Sequence, residues 1–486
     1  MKKVGIVGAG IAGIAAAIRL ASKGNSVEVF DANSYPGGKL SEVRLNEYRF
    51  DAGPSLFTMP QYVDELFKLA GKVPRDYFEY QALDIACRYF YEDGTLINAY
   101  TNPEKFAKEV KEKLGVEEKI ILNHLKHAAK IYKTVGKLFL EKSLHKIGNY
   151  VSIDTLRALF YLPGVDLYKT LHQSNKSRLK HPKLVQLFNR FATYNGSSPY
   201  LAPGILNVIP NLEHNIGAFF PKGGMYSITN SLYQLAKDVG VKFHFNQPVS
   251  QIITDSKKVK GLEIGNEKIE FDKVISNADV YPTYTKILKV DKFPQRVLSQ
   301  SRSSSALIFY WGIKKEFKQL DLHNILFSNS YEAEFNHIFK HKKIHPDPTV
   351  YINITSIYNP EDAPVGHQNW FTMINVPPNT GQDWDQMIAE ARKNIIAKLN
   401  RMLGENIEEQ ITIETILDPR TIESKTSSYQ GSLYGASHNK MMAAFHRHPN
   451  FSQKIKGLYF CGGSVHPGGG IPLCLLSAKI VDEVIN

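Results

Sequence analysis

The chain has 486 residues, 43% of them hydrophobic and 11% aromatic, with 59 Lys and Arg against 47 Asp and Glu for a net charge of +12. That length exceeds one ordinary core and predicts two or three domains, and the composition excludes a disordered, collagenous or low-complexity chain. No run reaches the ~18 uninterrupted apolar residues of a membrane-spanning helix; Cys87, Cys461 and Cys474 stand in neither a metal nor a disulfide spacing and fit a reducing, cytoplasmic setting.

Residues 4–31 carry the first strong signal. Val4–Val7 suit a buried strand and Ile11–Lys23 a helix, with Gly8, Gly10 and Gly13 between and just inside them in Gly-x-Gly-x-x-Gly spacing. In that pattern Gly8 permits the tight turn, Gly10 lets a pyrophosphate approach the backbone, and Gly13 lets the helix pack closely on the strand. The helix start then offers free amides and a positive dipole end to phosphates. A second strand, Ser26–Phe30, ends at Asp31, placed to accept hydrogen bonds from a ribose hydroxyl. Lys2 and Lys3 before an apolar run also resemble a secretory signal, but such a signal needs neither three spaced glycines nor a terminal acid.

Downstream come Tyr35-Pro36-Gly37-Gly38-Lys39 and then Tyr48-Arg49-Phe50-Asp51-Ala52-Gly53-Pro54-Ser55. Paired glycines let a backbone pass close to a bulky ligand, and their place directly after the dinucleotide unit favours a flavin over a nicotinamide. A Gly-Gly-Lys stretch followed by Phe-Asp-x-Gly-Pro-Ser resembles the flavin amine oxidase and carotenoid desaturase superfamily, and Phe50–Pro54 resemble its bacterial-type phytoene desaturase branch.

Residues 100–220 read as helical and aromatic-rich. Between Lys142 and Lys183 they carry eight cations (Lys142, Lys146, Arg157, Lys169, Lys176, Arg178, Lys180 and Lys183) against Asp154 and Asp166, with Leu156, Leu159, Phe160, Leu162 and Val165 interleaved. A segment of this kind is either a surface that lies on a membrane or a helical subdomain with a charged outer face. Phe191–Pro203, with its Tyr-x-Gly-x-Ser-Pro turn, is similar to carotenoid desaturases.

Phe220–Met225 lead into a predicted helix over 226–239, a strand at 242–246, a hairpin (258–264 with 267–271) and a strand at 273–278. The resemblance implies that Val249 sets backbone groups against an adenine and that Asn277 lies near the nucleotide crevice. Residues 303–312 read as a strand of a second sheet; His323 reads as a polar site residue or as a histidine packed in a loop. The second strong signal is Gly457–Pro472: a strand, a glycine-rich turn, and a helix with Pro472 in its first turn, where proline is tolerated. Such a turn aims amides at an anion and suits the charge of a reduced flavin. It resembles the bacterial-type phytoene desaturase signature, departing at Val465 and Gly469, and Gly463-Ser464 stand where many flavoenzymes have Gly-Asp. Leu433, in Gly431–Gly435, resembles the segment that faces the isoalloxazine.

The resemblance implies a discontinuous Rossmann-type FAD domain (1–76, 220–285 and 430–486), a mixed-sheet substrate domain (77–100 and 286–429) and a helical, membrane-facing subdomain (101–219), an α/β architecture overall. It implies noncovalent FAD contacted by Gly8, Gly10, Ala12, Gly13, Asp31, Gly38, Lys39, Ser55, Leu56, Val249, Asn277, Leu433, Gly463, Gly470, Ile471 and Pro472. The implied reaction forms a carbon–carbon double bond in a carotenoid, with hydride transfer to the flavin and no named acid or base. Among the branches the 1-hydroxycarotenoid 3,4-desaturases are nearest; phytoene- or lycopene-type desaturases and isomerases are the alternatives. Tyr194, Asn195 and Ser303 are candidate tunnel groups, with burial for packing as the competing reading. With no second glycine fingerprint for NAD(P), electrons pass on to oxygen, a quinone or another acceptor. The expected setting is the cytoplasmic face of the inner membrane, peripherally bound. Two other readings stay open: an amine or porphyrinogen oxidase on the same scaffold, and a non-catalytic carotenoid carrier at the membrane surface. Nucleic acid is not expected as a partner, because the aromatics do not interleave with a basic stripe.

Overall fold

A computed structural model describes residues 1–136, 140–146, 166, 168–288, 294–440 and 443–485. Strand β1 (Lys3–Val7), helix α1 (Ile11–Ala21) and strand β2 (Ser26–Phe30) form the opening unit. β1 lies at the centre of a five-stranded, all-parallel sheet. Across it the order is Lys242–His244, β2, β1, Lys273–Ser276 and Leu458–Phe460, so three distant stretches of chain return to one sheet.

The composition of α1 explains its position. Ten of its eleven residues are buried, and Ala12, Ala15, Ala16 and Ala17 give it a slim profile. Two helices can therefore close on it, Tyr226–Asp238 and Ile471–Val484. Each isoleucine and leucine buried in the shared apolar layer contributes about 1.5–3 kcal/mol.

A seven-stranded mixed sheet forms the second layer, in the order Ile411–Leu417, Ser305–Ile313, Gln368–Val376, Val350–Ile354, His323–Leu326, Ile85–Phe90, Leu96–Tyr100. Only the pairing of His323–Leu326 with Ile85–Phe90 is parallel. The helix Trp384–Leu403 covers one face through Trp384, Ile395 and Leu399. On the side of Tyr89, Ile97 and Phe327, the helices Pro103–Leu114, Glu118–Ile131 and Pro182–Asn189 build an aromatic-rich cluster around Phe106 and Phe188. Residues Arg190–Asn195 then form a 3-10 turn that ends at Gly196.

Of the basic stretch, Asp154, Leu156, Arg157, Leu159, Phe160, Leu162 and Val165 lie outside the described residues. Two of its other cations are tied into ion pairs: Arg178 with Asp166 at 3.1 Å, and Lys183 with Asp93. Lys169, Lys176 and Lys180 are exposed. Among the described residues no helix is long and apolar enough to cross a membrane.

Candidate cofactor and substrate cavity

β1 ends in Gly8, whose φ of +98° is open to glycine at no steric cost. Gly10 is the N-cap of α1, and there is no acidic residue in the helix's first turn. A Cβ on Gly13 would lie 2.2 Å from the Gly8 carbonyl oxygen, so this glycine is what lets α1 pack down on β1. A Cβ on Gly10 would lie 2.6 Å from Asn277 Oδ1, and Asn277 Nδ2 donates to the Cys461 carbonyl at 3.2 Å. Asn277 thus joins the first glycine turn to the strand end that precedes the last one. The Asp31 carboxylate accepts from the Ala9 amide at 2.7 Å and from the Asn33 amide at 2.8 Å. It therefore holds the glycine loop as well as facing the cavity, and each oxygen keeps a further lone pair.

Gly37 pairs with Gly10 and carries the chain across the mouth of the loop. Lys39 Nζ then donates to the carbonyls of Ser432 (3.1 Å) and Leu433 (3.0 Å). Burial lowers the pKa of this ammonium group, partly offset by Asp279. The Phe50-Asp51 signature has a structural task. Asp51 accepts from the amides of Met225 (2.8 Å) and Tyr226 (3.1 Å) at the start of the helix Tyr226–Asp238. Arg49 joins it to Asp362 and Glu42 in a buried ion-pair network.

At the C-terminal turn, Gly470 (φ +103°) precedes the helix Ile471–Val484, which has Pro472 in its first turn and no acidic residue there. A Cβ on Gly470 would meet no atom within 4 Å, so the helix start opens on free space. Buried Arg447 braces the turn by donating to the carbonyls of Gly463 (2.8 Å), Tyr434 (2.9 Å) and Ala436 (3.0 Å). Ser303 Oγ accepts from the Tyr434 amide at 3.0 Å.

Both helix starts open on one cavity of about 1470 Å³. Gly8, Gly10, Ala12, Asp31, Gly38, Lys39, Ser55 and Leu56 line it, as do Val249, Asn277, Leu433, Gly463, Gly470, Ile471 and Pro472. Gly13 lies behind the wall in the helix–strand contact. Tyr194 and Asn195 also line the cavity, whereas Ser303 is packed under Tyr434. Two acid-free helix N-termini facing one space suit an elongated anionic cofactor, phosphates at one start and an electron-rich ring at the other.

The cavity continues past Leu56, Met59, Leu206, Ile209, Ile325 and Met373. Within this apolar part sits a buried polar group. Arg190 donates to Glu213 at 3.1 and 3.2 Å and to Tyr194 OH at 3.3 Å, and Tyr194 OH donates to Glu213. Ser55 Oγ lies 2.7 Å from Tyr351 OH, which lies 2.8 Å from His323 Nδ1. His323 is not packed in a loop: it opens the strand His323–Leu326 and pairs with Asn353. Arg190, Glu213, Tyr351 and Arg447 carry no sequence signal, because each acquires its place through contacts far along the chain.

Residues 11–485 match the protein family described as flavin containing amine oxidoreductase. The chain is 52% identical over 485 residues, covering 100% of it and 99% of the relative, to a 1-hydroxycarotenoid 3,4-desaturase of Flavobacterium sp. (strain P99-3). It is 30% identical over 489 residues to a 4,4'-diaponeurosporene oxygenase of Staphylococcus haemolyticus (strain JCSC1435), covering 100% and 97%. Among solved structures, an oxidoreductase from Methanosarcina mazei shares the fold with a TM-score of 0.66 at 15% identity, covering 99% and 100% of the two chains.

Proposed function

This chain belongs to the flavin-containing amine oxidoreductases, and we propose that it is an FAD-dependent desaturase that forms the 3,4 double bond of a 1-hydroxylated acyclic or monocyclic carotenoid. The observation that carries the reading is full-length identity of 52% to a 1-hydroxycarotenoid 3,4-desaturase. The cavity supports it: two acid-free helix starts at one end and a long apolar extension at the other.

The residues fit a noncovalently held FAD. The amides from Gly10 to Ala12 take the pyrophosphate, Asp31 a ribose hydroxyl, and the Val249 backbone the adenine. Lys39, Ser55, Leu56 and Leu433 would bound the ring, and Gly463, Gly470, Ile471 and Pro472 would offer it the backbone of their turn. When bound, the flavin supplies a two-electron acceptor for hydride from an allylic carbon. The protein's own part is to fix the loops and orient the polyene. Gly13 and Asn277 lock the two glycine turns together, and Arg447 holds the ring-facing turn from behind. The apolar walls exclude water and hold one carbon–hydrogen bond in line. Conjugation acidifies the neighbouring proton, so no strong side-chain base is assigned.

In this reading the five-stranded sheet is the cofactor domain, the seven-stranded sheet carries the substrate, and the helical segment faces a membrane from the cytoplasmic side. Oxygen or a quinone then takes the electrons. The test is the visible spectrum of pigments from hosts that separately accumulate phytoene, lycopene, and hydroxylated acyclic or monocyclic carotenes. A red shift confined to the hydroxylated hosts is the expected result; a shift in the phytoene host makes the enzyme an early desaturase, and no shift with flavin bound defeats the reading.

A further inference from the structure

A hydrocarbon tunnel has no use for a buried hydrogen-bond donor without a partner; among the described residues Arg190, His323 and His438 line this cavity with one each, and His323 is the one bonded through Tyr351 to Ser55. His323 lines it and is 3% exposed. Asn353 fixes its tautomer. Asn353 Nδ2 donates to the Leu322 carbonyl at 2.9 Å, which sets the amide, and the same nitrogen faces His323 Nδ1 at 3.2 Å. Nδ1 therefore accepts, its one lone pair shared between Tyr351 OH at 2.8 Å and the longer Asn353 contact, and the ring proton sits on Nε2. That Nε2–H has no hydrogen-bond partner among the described residues. Burial, reinforced by the nearby Arg190 cation, draws the His323 pKa down to about 3, so the ring stays neutral. The neighbouring cation and carboxylate bond each other rather than His323, through Arg190 Nη2 and Glu213, while Arg190 Nε keeps no partner among the described residues.

Position adds the second half. Ser55 begins the chain Ser55–Tyr351–His323. It lies two residues after Gly53, where a Cβ would be 1.8 Å from the Lys39 carbonyl oxygen. Lys39 in turn reaches the carbonyls of Ser432 and Leu433. The polar chain thus starts at the segments that bound the ring in the reading above. In a substrate hydroxylated at carbon 1 and oxidised at the 3–4 bond, one carbon separates the hydroxyl-bearing atom from the reacting one. The hydroxyl must lie beside the ring.

We propose that His323 Nε2–H is the donor that binds the substrate's carbon-1 hydroxyl oxygen, with Tyr351, Asn353 and Ser55 as positioning residues that hold the ring and its tautomer. The inference rests on the desaturase reading and names the specificity determinant of that same site. A site built to bond a hydroxyl rejects the analogue that lacks it far more strongly than an apolar pocket rejects a missing methylene.

The test is equilibrium binding of a 1-hydroxylated acyclic carotene and its non-hydroxylated parent to the flavin-loaded enzyme in detergent, read by quenching of protein fluorescence, with turnover of both followed in parallel. Wild type should prefer the hydroxylated carotene, and His323→Phe should reduce that preference about tenfold to hundredfold, the cost of an unmade buried hydrogen bond. His323→Gln, which restores an N–H donor, should recover part of it. Tyr351→Phe removes a positioning bond and should lower the preference less, and it serves as the second variant if His323→Phe loses its flavin. Equal binding of the two carotenes by wild type, or a preference unchanged in both His323→Phe and Tyr351→Phe, overturns the assignment. A wild type that prefers the hydroxylated carotene without desaturating it upholds the subsite and defeats the desaturase reading instead.

Discussion

Gly13→Ala separates the packing role of the third glycine from everything else in the loop. The added methyl would lie 2.2 Å from the Gly8 carbonyl oxygen and 3.0 Å from Asn277 Oδ1. Reaching a tolerable contact of about 3.2 Å requires α1 to withdraw from β1 by roughly 1 Å, since carbon contacts are optimal only near ~3.5 Å. Overpacking of this kind costs about 1–3 kcal/mol of stability. The larger effect falls on the cofactor, because the amides of Gly10, Ile11 and Ala12 move with the helix. Bonds that start near 2.9 Å would stretch to ~3.9 Å, outside hydrogen-bond range. Each bond to a charged group contributes about 1.5–3 kcal/mol. Losing two weakens flavin binding by about 10²- to 10⁴-fold. The assay is the flavin-to-protein absorbance ratio after purification, then titration of the apo-protein with FAD, with circular dichroism to confirm folding. Gly24→Ala, beyond the far end of the same helix, strains the backbone at a φ of +81° but meets no atom within 4 Å; it controls for lost stability without a clash and should keep its flavin. A folded Gly13→Ala protein that binds FAD within about threefold of wild type, less than half of a 1.4 kcal/mol decade, would refute the reasoning.

Asp31→Ala removes the acceptor for the Ala9 and Asn33 amides as well as the proposed ribose partner, and should weaken FAD binding about tenfold to hundredfold; full flavin occupancy after dialysis counts against it. Asp51→Ala leaves Arg49 partly unpaired and the Met225 and Tyr226 amides bare, so the denaturant midpoint should fall by the equivalent of about 3–5 kcal/mol; an unchanged midpoint contradicts the capping role. Burial holds His124, His323, His438 and His466 down to about 3 and His448 to about 4. The unfolded chain binds their protons first, so stability should fall as pH drops below about 6.5, by up to about 1.4 kcal/mol per pH unit for each ring. Buried Glu334, pushed up to about 7, and the raised Asp51 and Glu483 carboxyls oppose this, against the five rings and the likewise lowered His172, His181 and His214. A midpoint that is flat or rises from pH 7 to pH 5 refutes the balance. Pelleting with anionic vesicles should weaken as salt rises if Lys169, Lys176 and Lys180 drive it; salt-insensitive pelleting points to apolar insertion instead.

The cofactor end of the cavity was legible because its parts are local. Gly8, Gly10 and Gly13 are separated by a few residues, and their spacing encodes a turn, an approach and a contact that the chain makes with itself. The same holds for Gly463 to Pro472, where a strand, a turn and a helix follow one another directly. Asn277 was placed near the crevice, but its bracing of both turns depends on loops that are hundreds of residues apart. Lys39 carried a signal through its Gly-Gly-Lys setting, yet its partners are carbonyls at 432 and 433, which no periodicity could announce. The substrate end was hardest to read. Arg190 sits on a 3-10 turn, Glu213 within the helical turn Leu212–Ile216, and Tyr351 on a central strand, and only the fold brings them to one cavity. In sequence each looks like an ordinary core or surface residue.

That contrast follows from what each end must recognise. A dinucleotide presents charged phosphates at fixed separations, and short glycine turns at helix starts answer them wherever they occur. A polyene presents a nearly uniform apolar rod, and apolar walls alone cannot distinguish one end of it from the other. A difference of one methylene in such a pocket is worth only about 1–3 kcal/mol. Direction must come from a polar atom at one place along the wall. Arg190 and Glu213 cannot provide it through charge, because they neutralise each other. Tyr351 and Ser55 cannot either, because their hydroxyls are committed to the chain that ends on His323 Nδ1. Among the described residues the Nε2–H of His323 is one of three cavity-lining donors without a partner, with Arg190 Nε and the His438 ring, and it is the one bonded through Tyr351 to Ser55. In the proposed arrangement the cluster around it does two things at once: it keeps charge from reaching the polyene, and it leaves a neutral donor to set which end of the substrate meets the cofactor.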